Sequence, residues 1–79
     1  MNELPVPDQV LDVKGLNCPM PLLRAKLVLD GMESGRHLRV EATDPHSVPD
    51  FEAFCQKTGH TVIARWEDSG VYGFLLRRR

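Results

Sequence analysis

The 79-residue sequence predicts an α+β fold, a two-layer α/β sandwich in which two helices cover one face of a four-stranded mixed sheet. Segments with a period of two residues alternate with segments of helical period, in the order β-α-β-α-β-β. Glycines and prolines separate these segments. If the first two strands are parallel, the right-handed crossover rule places both helices on the same face of the sheet.

The first half of the chain contains a strand, a helix and a second strand. A short run of β-branched and aliphatic residues, 10–14, stops at Gly15 and predicts the first strand. A helix then extends to the glycines at 31 and 35. Residues 38–43 alternate and predict the second strand, with one buried face. The apolar residues on the inner side of the helix are Leu22, Ala25, Val28, Leu29 and Met32.

The second half contains a helix and a hairpin. Ser47 and Asp50 form a Ser-x-x-Asp capping signature, and Pro49 is tolerated only in a first helical turn, so we expect the helix to begin near Ser47 and to end at Gly59. Residues 62–67 and 72–76 alternate on either side of an Asp-Ser-Gly turn and predict two paired strands. The second helix would turn Val48, Phe51, Phe54 or Cys55, and Thr58 toward the core.

The composition favours one soluble domain. The hydrophobic share is 42%, and the formal net charge of −1 offers no strong attraction to nucleic acid. We expect residues 1–8 to be a flexible N-terminal segment and residues 9–79 to form the single domain. No apolar run approaches the roughly 20 residues that span a bilayer, and the N-terminus lacks the pattern of a secretory signal. These features predict a cytoplasmic protein whose two cysteines are reduced thiols.

Cys18 is the candidate functional residue because it stands between a strand-ending turn and a predicted helix. With Pro19 at the first helical position, Cys18 would be the N-cap, close to the positive end of the helix dipole, which favours the thiolate. Since Pro19 and Pro21 lack an N–H group, Met20 would supply the main backbone donor to the sulfur. A lone activated thiol suits transfer between thiols, although a cysteine here could also be only a small apolar cap.

The segment Gly15-Leu16-Asn17-Cys18-Pro19-Met20-Pro21 resembles the Gly-Leu-x-Cys-Pro-x-Pro signature of the TusA/SirA family of sulfur carriers. The resemblance extends over residues 9–78 and implies a TusA-like domain with a persulfide on Cys18, supported by Gly15, Pro19 and Pro21. It also implies a sulfur-relay component rather than a stand-alone enzyme, without a cofactor. The donor would be a cysteine desulfurase or a rhodanese-type protein, and the sulfur would pass to an acceptor protein cysteine in tRNA thiolation, molybdenum-cofactor synthesis or sulfur metabolism. Some relatives carry a charged residue in place of Met20, so their partner contacts do not transfer.

The remaining candidate residues have structural interpretations. Cys55 falls on the inner side of its helix and is expected to be a buried core thiol. The three histidines, His37, His46 and His60, are scattered along the chain and predict no metal site. Asp44 and Asp50 are interpreted as turn and cap residues, near a helix end that could neighbour Cys18.

A surface for partner proteins is the last feature that the sequence suggests. Met20, Leu23 and Leu27 fall on the outer side of the first helix and could form an apolar docking patch, or they could be scattered surface residues. Two other function classes stay open, a regulatory interaction module in which Cys18 is dispensable, and an RNA-binding domain. The RNA-binding alternative would use Arg65 and Arg77–Arg79 for phosphate contacts and Trp66 and Tyr72 for stacking.

Overall fold

The computed structural model describes residues 4–79 and has the predicted order of elements. Each predicted helix and strand is confirmed, including the start of the second helix at Ser47. The elements are β1 (Gln9–Val13), α1 (Met20–Asp30), β2 (His37–Ala42), α2 (Ser47–Thr58), β3 (Thr61–Asp68) and β4 (Val71–Arg77).

The four strands form one mixed sheet in the order β1-β2-β4-β3. β1 and β2 are parallel, whereas β4 pairs antiparallel with both β2 and β3. Because β1 and β2 are parallel, the loops that follow their carboxyl ends leave the sheet at the same edge. This edge positions the candidate site.

The core lies between the sheet and the two helices. Buried residues from both helices join the inward-facing residues of β2 and β4 in one cluster, and the rings of Phe51 and Phe74 lie 4.7 Å apart at its centre. Burying this apolar surface is the main force that holds the two layers together. The cluster comprises Val13, Ala25, Leu29, Met32, Leu38, Val40, Ala42, Phe51, Cys55, Phe74 and Leu76.

β3 departs from the regular alternation that the sequence predicts. The register shifts between Val62 and Ala64, so that Val62 pairs with Leu76 of the core face whereas Trp66 pairs with Gly73. A β-bulge inserts one extra residue and turns the following side chains to the opposite face. Trp66 therefore lies on the face of the sheet away from the helices, with the guanidinium of Arg39 5.0 Å from its ring centroid.

The N-terminal segment contacts the sheet at Asp8. The backbone N–H of Asp8 donates to the carbonyl of His37 at 2.8 Å, and its carboxylate accepts from the backbone N–H of His37 at 2.7 Å. Residues 1–3 of the expected flexible segment lie outside the described residues. In the part of the chain that is described, neither helix has the length and apolar character needed to cross a membrane.

Candidate functional site

The loop after β1 begins with a tight turn at Gly15. The φ angle of Gly15 is +83°, in the left-handed region that an L side chain rarely adopts. Its N–H donates a hydrogen bond to the hydroxyl of Thr43 at 2.8 Å, and the N–H of Leu16 donates to the carbonyl of Val13 at 3.2 Å. The turn thus joins the loop after β1 to the loop after β2.

Asp44 makes a second connection between the two loops. Its carboxylate accepts from the backbone N–H of Cys18 and from the backbone N–H of His46, the latter at 3.1 Å. The Nδ1 atom of His46 lies 2.9 Å from the same carboxylate. Asp44 is only 7% exposed, so a buried carboxylate holds Cys18 in place through its backbone.

Helix α1 begins one residue later than the sequence predicts. Pro19 is the N-cap, because its carbonyl accepts the first helical hydrogen bond, from the N–H of Leu23 at 3.1 Å. The predicted N-cap position of Cys18 is therefore wrong, because Cys18 lies in the turn that precedes the helix. The predicted donor to the sulfur is also wrong, because the Met20 N–H donates to the carbonyl of Asn17 at 2.9 Å. Pro21 is buried in the first turn.

The thiol of Cys18 is exposed and faces a carboxylate. Its Sγ atom donates to Oδ2 of Asp50 at 3.3 Å. This hydrogen bond raises the pKa of Cys18 above its ordinary value, and desolvation and the charges of Asp50 and Asp44 add to the effect. The predicted shift toward the thiolate is thus wrong in direction, because a full negative charge within hydrogen-bond distance outweighs the half charge of a helix dipole.

Asp50 reaches Cys18 because it does not form the predicted capping interaction. The N-cap of α2 is His46, with no side-chain cap, and the hydroxyl of Ser47 is buried without a hydrogen-bond partner among the described residues. Asp50 lies in the first turn of α2, where its backbone N–H bonds to the carbonyl of His46 at 3.1 Å. Its side chain is free to approach the thiol.

The site therefore consists of Cys18, Asp44, His46 and Asp50. The contact with His46 holds the pKa of the Asp44 carboxyl below its ordinary value. The same contact raises the pKa of the His46 imidazole, with a smaller effect from the charge of Asp50. From the sequence alone, the two carboxylates are expected only near a helix end that could neighbour Cys18, and no pattern assigns His46 to the site.

The other predicted residues occupy separate positions. Cys55 is 5% exposed and contributes to the core, as predicted, and both cysteines are free thiols. His60 accepts the N–H of Arg79 at 3.0 Å, away from the site. Within residues 4–79, no group of three or more His, Cys, Asp or Glu side chains is arranged so that it could hold a metal ion.

The three residues of the possible docking patch are all exposed on α1. Met20 is 39% exposed, Leu23 46% and Leu27 70%, so they form an outward apolar row that starts two residues after Cys18. We call this row the α1 patch.

Comparison with known proteins shows which family the chain matches. The model of the family described as "Sulfurtransferase TusA" matches residues 9–78, which include the whole site. The chain belongs to the TusA family. Family membership supports a role as a sulfur carrier, since the chain is 51% identical to the sulfur carrier protein TusA of Allochromatium vinosum over 71 residues, which cover 90% of this chain and 93% of that protein.

A second relative agrees with the TusA-family assignment, and a solved structure shows the same fold. A protein of Neisseria meningitidis described as a putative sulfur carrier is 45% identical over 71 residues, covering 90% of this chain and 96% of the relative. The crystal structure of the SirA-like protein from Desulfitobacterium hafniense superimposes with a TM-score of 0.76 at 24% identity, covering 87% of this chain and 95% of that one. The structural match confirms the predicted fold.

Proposed function

We propose that this protein carries a sulfane sulfur as a persulfide on Cys18. The observation that supports the proposal most directly is the position of this thiol. Cys18 is exposed in the loop before α1, within the signature segment, whereas the other thiol, Cys55, is buried in the core. In this proposal the donor is a cysteine desulfurase or a rhodanese-type protein, and the acceptor is a protein with a reactive cysteine.

The transfer requires no external oxidant or reductant. The sulfur of Cys18 attacks the terminal sulfur of the donor persulfide, forming one S–S bond while the S–S bond of the donor breaks. The electron pair of the broken bond stays on the donor cysteine, which leaves as a thiolate and takes up a proton. In the second transfer the acceptor thiolate attacks the terminal sulfur on Cys18, and Cys18 is released as a thiol after protonation.

Three neighbouring residues would support this carrier site. Gly15 provides the positive φ angle that turns the chain toward the loop after β2. Pro19 caps α1, and the buried Pro21 anchors the first turn of the helix against the core. Together they would hold Cys18 at a fixed position on the surface, which reduces the entropy lost when a partner docks.

We further propose that the α1 patch is the docking surface for the sulfur donor. A donor must bring its persulfide into contact with Cys18 Sγ, so the surface around Cys18 becomes buried in the transfer complex. Met20, Leu23 and Leu27 extend from this point along α1, and burying them would favour the complex.

We propose the destination of the sulfur only as a class of reaction, the delivery of sulfane sulfur to an acceptor protein cysteine. Thiolation of tRNA, molybdenum-cofactor synthesis and other sulfur metabolism each need a protein that delivers sulfane sulfur to an acceptor cysteine. We expect donor and acceptor to operate in the cytoplasm, where Cys18 stays reduced between transfers.

Intact-mass measurement tests the proposal directly. The protein is incubated with a cysteine desulfurase and L-cysteine, and we expect a gain of one sulfur atom's mass that a reducing agent removes. Cys18→Ser should abolish the gain, and Cys55→Ser should retain it. A wild-type protein that gains no sulfur from either a desulfurase or a rhodanese-type donor would contradict the carrier function.

A further inference from the structure

The charge of Asp50 is not balanced within the structure. Three carboxylate residues in the described part of the chain are buried or half-buried, namely Glu41, Asp44 and Asp50. Glu41 forms an ion pair with Lys14 at 2.9 Å, and Asp44 pairs with His46 at 2.9 Å. Within residues 4–79, Asp50 has no cationic partner within ion-pair distance.

The carboxylate of Asp50 lies in the first turn of α2, where its charge is favourable to the helix dipole, but among the described residues it forms no hydrogen bond to the backbone. It does not cap α2, and its side chain contacts the thiol of Cys18 at 3.3 Å rather than a backbone donor. Asp44, by contrast, accepts hydrogen bonds from two backbone N–H groups and holds two loops together. The two carboxylates therefore act differently: Asp44 positions Cys18, and Asp50 acts on its sulfur.

Docking of a sulfur donor changes the surroundings of Asp50. The donor sulfur must make bonding contact with Cys18 Sγ, which places donor atoms against Asp50 and removes water from it. Burying an unpaired carboxylate is costly, and a cation or several hydrogen-bond donors must offset the lost hydration. A cation at this point would also favour the thiolate of Cys18, because it cancels the charge that opposes ionisation.

Building on the carrier function above, we propose that Asp50 determines the specificity of sulfur transfer. Its carboxylate accepts the hydrogen bond of the Cys18 thiol in the free protein, and it receives a basic side chain that the sulfur donor protein carries beside its persulfide cysteine. The free carrier therefore reacts slowly with adventitious electrophiles. A donor with a lysine or arginine at the matching position both pairs with Asp50 and activates Cys18.

Two thiol reagents of opposite charge test the effect of Asp50 on Cys18. They are methanethiosulfonates that carry either a trimethylammonium or a sulfonate group on the same reactive unit. We expect Cys18 to prefer the cationic reagent, and Asp50→Asn to reduce the ratio of the two rates by about tenfold. Intact mass verifies that one adduct forms, since Cys55 is buried.

Glu52→Gln is the matched control for this measurement. Glu52 lies on the same helix but pairs with Arg65 at 2.8 Å, so its neutralisation should leave the reagent ratio close to wild type. An unchanged ratio in Asp50→Asn, or an equal drop in Glu52→Gln, would overturn the assignment of Asp50.

Charge reversal tests the basic side chain of the donor. Asp50→Lys supplies a cation beside Cys18, so transfer from glutathione persulfide at pH 7 should become faster than in wild type. The same variant should take sulfur from a persulfide-loaded cysteine desulfurase at least about tenfold more slowly, because its lysine repels the basic group of the donor. Glu52→Lys should retain the wild-type rate with both donors.

The outcomes separate this proposal from the carrier function. If Asp50→Lys is accelerated with the desulfurase as much as with glutathione persulfide, the donor has no basic group at Asp50 and the proposal is wrong. If wild type takes sulfur from neither donor, the carrier function fails, and the reagent ratio still determines whether Asp50 controls the charge sensed by Cys18.

Discussion

The Sγ atom of Cys18 lies 3.3 Å from Oδ2 of Asp50, although 32 positions separate the two residues in the chain. This contact favours the protonated thiol, because the pKa of Cys18 is raised by its hydrogen bond to Asp50, by desolvation and by the charges of Asp50 and Asp44. Reactivity in the free protein is thus restrained by a residue from the other helix.

Neutralising Asp50 should therefore lower the pKa of Cys18 and increase its thiolate fraction. We expect Asp50→Asn to shift the pH profile of Cys18 alkylation by iodoacetamide to lower pH. The rate at pH 7 should rise about three- to fourfold for each unit by which the pKa falls, because the thiolate fraction rises about tenfold while the thiolate becomes less nucleophilic. The measurement is the second-order rate constant between pH 6 and pH 10, with Glu52→Gln as the control for the loss of one negative charge. Coincident profiles for wild type and Asp50→Asn would show that Asp50 does not set the ionisation of Cys18.

Local sequence patterns were sufficient to predict the elements of the fold. The alternation of Leu38, Val40 and Ala42 located β2, and all three side chains are fully buried. The bulge in β3 was not predictable, because a shift in register depends on the partner strand rather than on the strand itself. As a result, Trp66 lies on the face opposite to Val62.

Of the residues that form the site, only the nucleophile, Cys18, was predictable from the sequence. Cys18 is identified by its signature segment, whereas Asp44 and Asp50 come close to it because β1 and β2 are parallel and α2 follows β2. Sequence separation hides such contacts. The dipole of α1 taken alone predicts a lowered pKa for Cys18, and this prediction is wrong because the hydrogen bond to Asp50 raises it.

The packing of Trp66 on Gly73 gives a prediction for stability. A Cβ atom at Gly73 would overlap Cε2 and Nε1 of the Trp66 ring, so Gly73→Ala should destabilise the protein by about 1–3 kcal/mol. Urea unfolding followed by circular dichroism measures the change. Gly31→Ala is the control, because its Cβ would meet no atom closer than 3.7 Å and should leave stability equal or slightly higher.

A double-mutant cycle tests whether the clash with Trp66 is the cause. In a Trp66→Ala background, Gly73→Ala should destabilise much less than in wild type, because the ring that the Cβ would overlap is absent. An equal loss of stability in both backgrounds would show that the effect of Gly73→Ala arises from the strand backbone rather than from the Trp66 ring.

The α1 patch gives a prediction for protein-to-protein transfer. The double variant Leu23→Glu and Leu27→Glu should slow sulfur transfer from a cysteine desulfurase by about tenfold or more, because two charges replace apolar contact surface. Transfer from glutathione persulfide should keep its wild-type rate, since this small donor needs no docking surface. Rapid-quench intact mass provides both rates.

Val6→Glu is the matched control for the docking experiment. Val6 is 85% exposed and lies before β1. The substitution therefore also replaces a surface apolar residue with a charge. It should not alter either rate. Unchanged transfer from the desulfurase in the double variant would exclude the α1 patch as the docking surface.

The histidines provide a test of the electrostatics around the site. Hydrogen bonding to Asp44 raises the pKa of His46 above 6.5, whereas burial, followed by the charges of Arg78 and Arg79, lowers the pKa of His60 below 6.5. A titration of the imidazole signals by NMR should therefore show His60 losing its proton at a lower pH than His46.

Asp44→Asn tests whether the contact with Asp44 is what raises the pKa of His46. It should return the His46 midpoint toward 6.5 and leave that of His60 in place. An unchanged His60 midpoint also indicates that the fold is retained.

Because the pKa of His46 is raised, its contribution to stability is complete below 6.5 and is lost as the pH rises through the folded value. Because the pKa of Asp44 is lowered, its contribution is present above 3.8 and is lost as the pH falls through the folded value. The Asp44–His46 pair should therefore stabilise the site most between pH 3.8 and pH 6.5. A His46 midpoint at or below that of His60 in wild type would contradict the Asp44–His46 contact.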